Sequence, residues 1–540
     1  MSEPGAFAPR KRESTGRLAF LVAAGILLSR IIGLVRLRVF SHYFGLRSDS
    51  ADAFNAAFRI PNFLQNLFGE GVLSASFIPV YARLLAEGDE EEAGMVAGAV
   101  GATLALAVAV LCFAGVLATP WLIDIIAPGF SGAKRDLTVS LVRVLFPGAG
   151  LLVFSAWCLG ILNSHRKLFL SYAAPVMWSA AMIATLLIFG GRHTLPRLAM
   201  DLAWGSVAGS ALQFGIQLPV VLRLARHLRM RLDLKSGHVR TVLRNFAPVF
   251  VSRGVVQISA YIDALLASLL PTGAVTGLIN AQLIYVLPVS LFGMSVSAAE
   301  LPVMSSAIGS EEEIHRALGG RLDSGLRHIA FFIVPSAAAF LAFGDLIAGA
   351  LLETGRFTHT DAVYVWGILA GSSIGLLAST MGRLYSSAYY ALRDTRTPLR
   401  YALVRVALTT VLGYICAKPV PVWLGIDARW GVAGLTASAG VAGWVEFALL
   451  RRGLHRRLGA GRLQSGPSVS GFIAKLWLAA ALAVAVGSAG RLLPFVAHPI
   501  YGALATLGPF GVVYLGIGAT LAPEGRRLVM RFVKRQKSQD

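Results

Sequence analysis

The residues of this chain best placed to do chemistry are arginines inside apolar segments. Arg30, Arg36 and Arg38 lie within about two helical turns of one such segment, around Gly33, where a helix can bend toward a cavity. Arg59 and Asp52 stand on the next segment, and Arg253 on the seventh. A charge at the centre of a bilayer costs about 2.5–3.5 kcal/mol on insertion scales, so each such side chain must meet a partner or water. Guanidinium forks bind phosphate and pyrophosphate bidentately. Arg30, Arg36, Arg59 and Arg253, with Asp52 among the site residues, are therefore expected to form a positively charged central cleft for such an anion. The structural alternatives are that Arg38 snorkels to the interface and that Arg59 pairs with Asp52 to join two spans.

Fewer acidic residues fall within apolar segments. Glu70, in Phe68-Gly69-Glu70-Gly71 near the cytoplasmic end of the second span, suits a gate or a plain helix end. Asp263 and Glu300 lie in the second half, where a carboxylate can take a coupling sodium ion or proton. Asp201, Arg405, Glu446 and Lys475 suit interfacial or inter-helix pairs. No enzyme constellation competes with this pattern. The acidic runs Asp89–Glu92 and Glu311–Glu313 have no metal-ligand spacing, no phosphate-binding loop marks direct use of ATP, and the His residues are scattered. Cys112, Cys158 and Cys416 stand singly and read as packing residues, without disulfide, metal or cofactor.

The elements that must position these residues follow from composition. Of 540 residues 56% are hydrophobic and only 14% charged, with a mean hydropathy of +0.67. This is the composition of an integral membrane protein, all-α and polytopic. At about 20 apolar residues per span, about fourteen transmembrane helices can be laid down, near residues 18–42, 52–84, 93–118, 137–163, 168–190, 198–223, 241–270, 273–308, 326–351, 363–390, 398–417, 430–450, 470–490 and 500–522. Some exceed a single spanning length and carry internal proline, as at Arg59-Ile60-Pro61 and Leu287-Pro288, where broken helices facing protein or a wet cavity are expected.

Lys+Arg number 49 against 28 Asp+Glu, a net charge of +21. The excess falls in short loops, so it reads as topology and not as nucleic-acid binding. One alternate set of loops holds roughly thirty basic residues and the other about nine, which places both termini in the cytoplasm. The Gly525–Arg535 tail reads as a basic amphipathic helix on anionic membrane lipids.

A slide of about 223 residues lays Ser29-Arg30 on Ser252-Arg253, and Ser74–Val80 on Ser297–Val303. Matching spans run in the same direction, so two parallel six-helix lobes plus two C-terminal helices are expected. The layout is a basic N-terminus 1–17, an N-lobe 18–223, a basic linker 224–240, a C-lobe 241–451, two further spans within 452–522, and a basic tail 523–540.

Several motifs resemble the MurJ/MviN family of bacterial lipid II flippases, in the multidrug/oligosaccharidyl-lipid/polysaccharide exporter superfamily. They are Ser29-Arg30-Ile31-Ile32-Gly33-Leu34-Val35-Arg36, Asp52-Ala53-Phe54, Phe58-Arg59-Ile60-Pro61-Asn62, Phe68-Gly69-Glu70-Gly71 and Ser76–Val80. Others are Ala127–Phe130, Gly160–Ser164, Gln217-Leu218-Pro219, Gly355–Thr358 with Asp361-Ala362, and Arg393–Pro398. The resemblance runs through essentially the whole chain.

It implies a transporter in the bacterial cytoplasmic membrane, not an enzyme. Such a protein moves undecaprenyl-pyrophosphate-linked peptidoglycan precursor to the outer leaflet by alternating access, for cell-wall synthesis and in company with cell-wall synthesis proteins. Arg30 and Arg36 match the family's pyrophosphate-binding arginines, and Asp263 an acidic residue for sodium. The last two helices would form a groove for the lipid tail.

The chain departs from the family pattern in places. Gln65 or Asn66 stands where an arginine is usual, Leu37 where an acidic residue is common, and Gln282-Leu283-Ile284-Tyr285-Val286 where an arginine and an acidic residue precede the proline. Two expected cavity cations are absent, and Arg253 is the candidate to restore charge. These gaps keep two alternatives open: a flippase for another polyprenyl-linked glycan, and a transport-inactive scaffold whose basic loops recruit partners. A drug exporter would favour an acidic cavity, against the arginine cluster.

Overall fold

The computed structural model describes residues 15–68, 72–73, 76–233, 236–305, 311–458, 469–492 and 498–521. The expected gate residue Glu70, the N-terminus 1–14 and the basic tail lie outside the described residues, and so does the Arg253 side chain, although its backbone is helical. The elements run α1 (Thr15–Phe44), α2 (Asp49–Phe68), α3 (Ile78–Glu87), α4 (Glu90–Ile126), α5 (Gly132–Ser164), α6 (Leu168–Ala173), α7 (Pro175–Phe189), α8 (Leu195–Leu224) and α9 (Gly237–Ser268). Then follow α10 (Ala274–Pro288), a π-helical turn (Val289–Met294), α11 (Ser295–Ser305), α12 (Glu311–Leu352), α13 (His359–Ser373), α14 (Leu376–Ala391), α15 (Arg396–Ala417), α16 (Pro419–Leu424), α17 (Gly431–Leu458), α18 (Val469–Ala489) and α19 (Pro499–Leu521).

Among the described residues ten helical spans are long and apolar enough to cross a membrane, and α13 with α14, bent by 42°, makes an eleventh. Helices α1, α2 and α9, of 30, 20 and 32 residues, occupy the places expected for the first, second and seventh spans. The all-α polytopic fold is as composition requires, because only structures that satisfy their own backbone hydrogen bonds cross hydrocarbon. Helix α2 carries Asp49, Asp52, Asn55, Arg59 and Asn62, so its polar face needs protein or water beside it.

The break expected at Pro61 does not occur: helix α2 runs through it and ends at Phe68. Helix α1 is helical through Gly33. At Pro288 the winding changes, with α10 giving way to the π-helical turn, but the helix is not broken and runs on to Ser305 as one span of 32 residues. Proline removes one N–H donor, and a local change of winding can absorb that loss without ending the span.

The residues form two compact units, one of Met1–Phe44 with Asp49–Tyr261, the other of Gly45–Ser48 with Ile262–Asp540. In the first, α5 is the core helix, buried over most of its length, and its Trp157 indole N–H donates to the Ala97 carbonyl at 3.2 Å. Helix α4 turns Leu106, Val110, Phe113, Leu117 and Trp121 outward, the pattern of a lipid-facing surface. Between α5 and α8, Gln213 Nε2 donates to Ser155 Oγ at 2.8 Å, and Ser155 Oγ donates to Gln217 Oε1 at 2.8 Å. Such interhelical bonds are worth about 0.6 kcal/mol each in a membrane.

In the second unit α12 packs against α13, α14, α18 and α19. It kinks at Phe343, whose φ of −132° is non-helical, and Arg491 lies across the kink, 3.0 Å from the Ala342 carbonyl and 2.7 Å from Asp345. The Gly355–Asp361 motif is a turn and a helix start. Asp361 accepts from the Thr358 N–H at 3.0 Å to cap α13, and its other oxygen pairs with Arg47 at 3.2 Å.

The Arg393–Pro398 motif explains itself in the same way. The Asp394 carboxylate accepts from the backbone N–H groups of Arg396 and Thr397 at 3.0 Å each and from the Thr397 hydroxyl at 2.6 Å, and it pairs with Arg457 of α17 at 2.6 Å. The Thr397 hydroxyl bond is the chief cause that holds Asp394 below the usual carboxylate range, with backbone N–H bonds and Arg457 adding to it. Loss of this cap in Asp394→Ala is expected to destabilise the protein by about 1 kcal/mol, measured as unfolding in detergent. Because the folded-state value is depressed, the contribution is complete above the unfolded carboxylate pKa of about 3.9 and is lost as pH falls through the folded value. The wild-type and Asp394→Ala curves should therefore converge in acid and stay parallel near neutrality. Identical stability at pH 7 would refute the assignment.

Candidate functional site

In the first unit three helices meet around Arg36. Phe54 and Phe58, one turn apart on α2, stack with centroids 5.4 Å apart. Phe58 in turn stacks on Trp178 of α7 at 5.2 Å and 10°. The Trp178 indole is held in place by donating to both the carbonyl and the hydroxyl of Ser206 on α8, at 3.1 and 3.0 Å. Helix α8 comes this close because residue 209 is glycine: a Cβ there would lie 2.8 Å from the Trp178 carbonyl oxygen.

Arg36 of α1 reaches onto this aromatic pair. Its guanidinium carbon sits 5.4 Å from the Phe58 ring centre and 5.1 Å from that of Trp178, and Nη1 approaches the Met182 sulfur at 3.6 Å. Among the described residues it has no carboxylate partner. Ring faces fix a cation with about 2 kcal/mol when it is desolvated. Unlike a carboxylate, they neither neutralise the charge nor occupy most of the N–H donors. A half-buried, positioned guanidinium with donors to spare has the chemistry to receive an anion.

The other expected site residues take different places. Arg30, six residues earlier on α1, is exposed and has no ion-pair partner among the described residues. At 100° per residue it points about 240° around the helix from Arg36. Arg59 follows Phe58 directly and is partly exposed, and its carbonyl accepts from the Tyr261 hydroxyl of α9 at 2.6 Å. Asp52, only 1% exposed, is bound by Lys134 at the start of α5, 2.9 Å away. Lys134 also pairs with Asp49 at 3.2 Å and lies over the Phe130 ring. Asp52 thus fixes α2 against α5 through Lys134, a partner that the sequence did not suggest.

In the second unit Asp263 on α9 is half-buried. Glu300 on α11 lies beside Gly325 of α12, and its Oε2 is buried with no hydrogen-bond partner among the described residues. Of the remaining intramembrane charges, Arg405 of α15 pairs with Glu446 of α17 at 3.2 Å, and Asp201 contacts His193 at 2.6 Å. Trp178, Met182, Lys134 and Tyr261 were not singled out in the sequence, where they are ordinary apolar, aromatic or basic residues without a telling spacing, and Phe58 entered only as the first residue of the Phe58–Asn62 motif, with no role of its own.

A family model described as lipid II flippase MurJ matches residues 40–499. The lipid II flippase MurJ of Burkholderia cenocepacia is 30% identical over 475 residues, 86% of this chain and 88% of the relative. A probable lipid II flippase MurJ of Bdellovibrio bacteriovorus is 29% identical over 530 residues, 95% of this chain and 97% of its own. Among solved structures, a lipid II flippase MurJ in an inward closed conformation aligns with a TM-score of 0.73 at 22% identity, covering 94% of this chain and 100% of that one. An inward-facing multidrug resistance MATE transporter of the MOP superfamily aligns at 0.64 with 18% identity, over 83% and 100%. At these identities the two structures bear on the fold.

If the aromatic pair positions Arg36, removing one ring must loosen the anion site. Titration of inorganic pyrophosphate into the purified protein is expected to show about tenfold weaker binding for Trp178→Ala, with Trp178→Phe, which keeps a ring face, near wild type. Equal affinity for Trp178→Ala and wild type would contradict the arrangement.

Proposed function

The chain belongs to the MurJ family of lipid II flippases, and from that membership we propose that it carries lipid II across the bacterial inner membrane by alternating access, with the pyrophosphate held on Arg36. The single observation that carries the site assignment is the Arg36 guanidinium lying on the Phe58–Trp178 pair with no carboxylate partner among the described residues. Lipid II presents a pyrophosphate between an apolar tail and a glycan, and a fixed cation with free N–H donors is its chemical complement. Arg30 and Arg59 supply further positive charge in the same unit, and Arg253 is assigned the same role. The buried Asp52–Lys134 pair keeps α2, and so Phe58, in place.

The two six-span lobes, 18–223 and 241–451, would alternate, with the two spans of 452–522 beside them. Both termini lie on the cytoplasmic side in this scheme, since the basic loops gather there. Glu300, with a buried oxygen that lacks a partner among the described residues, is the first candidate to bind a coupling proton or sodium ion, and Asp263 the second. Glu70 serves as a gate at the cytoplasmic end of the second span. Enzymes of cell-wall synthesis are the protein partners this role calls for.

Depletion of the protein in its own host, with lipid-linked intermediates quantified on each side of the membrane, tests the cargo. Lipid II should accumulate on the cytoplasmic side, and an Arg36→Ala copy should fail to clear it while Arg36→Lys clears it in part. Unchanged lipid II with another polyprenyl-linked glycan building up would reassign the cargo. Full rescue by Arg36→Ala would remove the pyrophosphate site from this residue.

A further inference from the structure

Helix α14 is buried almost all round, and what it leaves uncovered is a single polar line. Between Leu376 and Tyr390 the only side chains that are not buried are Ser379, Arg383, Ser386 and Tyr390, at i, i+4, i+7 and i+11. That spacing places them on one face of a helix. Exposed faces elsewhere in the chain read differently: α4 shows lipid a row of leucine, valine, phenylalanine and tryptophan. A membrane helix whose one open face is serine, arginine, serine and tyrosine does not turn that face to hydrocarbon.

The stripe is also furnished for an anion. The Tyr285 hydroxyl of α10 and the Ser379 hydroxyl are hydrogen-bonded at 2.9 Å. Two guanidinium groups, those of Arg383 and Arg405, lie within electrostatic reach of that tyrosine. Arg405 is committed to Glu446, its carboxylate partner at 3.2 Å. Arg383 is exposed and has no hydrogen-bond or ion-pair partner among the described residues. It stands eight residues before the end of α14 at Ala391, about 12 Å along the helix, too deep for a plain interfacial arginine. Tyr285 itself belongs to the Gln282–Val286 stretch in which the family's arginine is absent.

We propose that Arg383, with the Tyr285 and Ser379 hydroxyls beside it, is a binding residue of the second unit for the phosphate-bearing part of the lipid-linked cargo, standing in for the cation absent from Gln282–Val286. The assignment rests on the transport function proposed above. Arg383 contributes full charge because no carboxylate claims it among the described residues, and the Ser379–Arg383–Ser386–Tyr390 line gives a polar cargo a continuous polar surface along α14.

The test uses the full chain in lipid nanodiscs with two probes, undecaprenyl pyrophosphate and uncharged undecaprenol. Arg383→Ala should weaken undecaprenyl pyrophosphate binding by about tenfold or more and leave undecaprenol binding unchanged, and Arg383→Lys should recover most of the loss. Ser386→Cys should react with a charged thiol reagent and be protected by undecaprenyl pyrophosphate. Binding by Arg383→Ala equal to wild type, in preparations where Arg36→Ala has lost it, overturns this inference alone. So does a Ser386→Cys that stays unlabelled, which would mean the stripe faces lipid. A wild-type protein that does not bind undecaprenyl pyrophosphate overturns the cargo assignment as well.

Discussion

A charge within hydrocarbon must be matched by a counter-charge, by aromatic faces or by water, and this constraint orders the whole molecule. The first two occur among the described residues. Asp52 is matched by Lys134, Arg405 by Glu446 and Arg491 by Asp345, and these pairs tie helices together. Arg36 is matched by the Phe58 and Trp178 rings, which hold it without cancelling its charge. Arg30 and Arg383 have no ion-pair partner among the described residues, so water or an anionic cargo must serve them. The sorting separates two kinds of charge: paired charges brace helices, and the cations without a carboxylate partner among the described residues are the ones proposed to bind the cargo.

The surrounding packing keeps the second class where it is needed. Trp178 presents its face to Arg36 because Ser206 holds its indole edge and Gly209 lets α8 approach. Phe58 presents its face because α2 is pinned at one end by Asp52–Lys134 and farther along by the Tyr261 hydroxyl on the Arg59 carbonyl. A shift in any of these supports would move the guanidinium. Rigid placement of a few polar groups on helices is how binding geometry is kept precise in an apolar scaffold.

Much of this was legible in the sequence and some was not, for identifiable reasons. Composition alone required helices, and hydropathy placed them, because a bilayer leaves no other economical way to close backbone hydrogen bonds. Arg36 could be named because an arginine in an apolar run is costly wherever the chain folds. Its aromatic support could not be named, since Phe58, Trp178 and Met182 look like any core residues, and Met182 lies 146 positions away. For the same reason Asp52 suggested the neighbouring Arg59, whereas its partner Lys134 comes from 82 residues on. Pro61 suggested a break that α2 does not make, because one missing donor is a local cost that a packed span can absorb. Arg383 passed unnoticed in the sequence because Leu384, Tyr385 and their neighbours mask its polar stripe until burial is known.

The most direct measurement of the central claim is the position of the phosphates in a structure of the protein bound to undecaprenyl pyrophosphate. The account predicts phosphate oxygens about 2.7–2.9 Å from the guanidinium nitrogens of Arg36, with the guanidinium still over the Phe58 and Trp178 rings. Pyrophosphate bound away from Arg36, with that side chain unmoved and unoccupied, would contradict it.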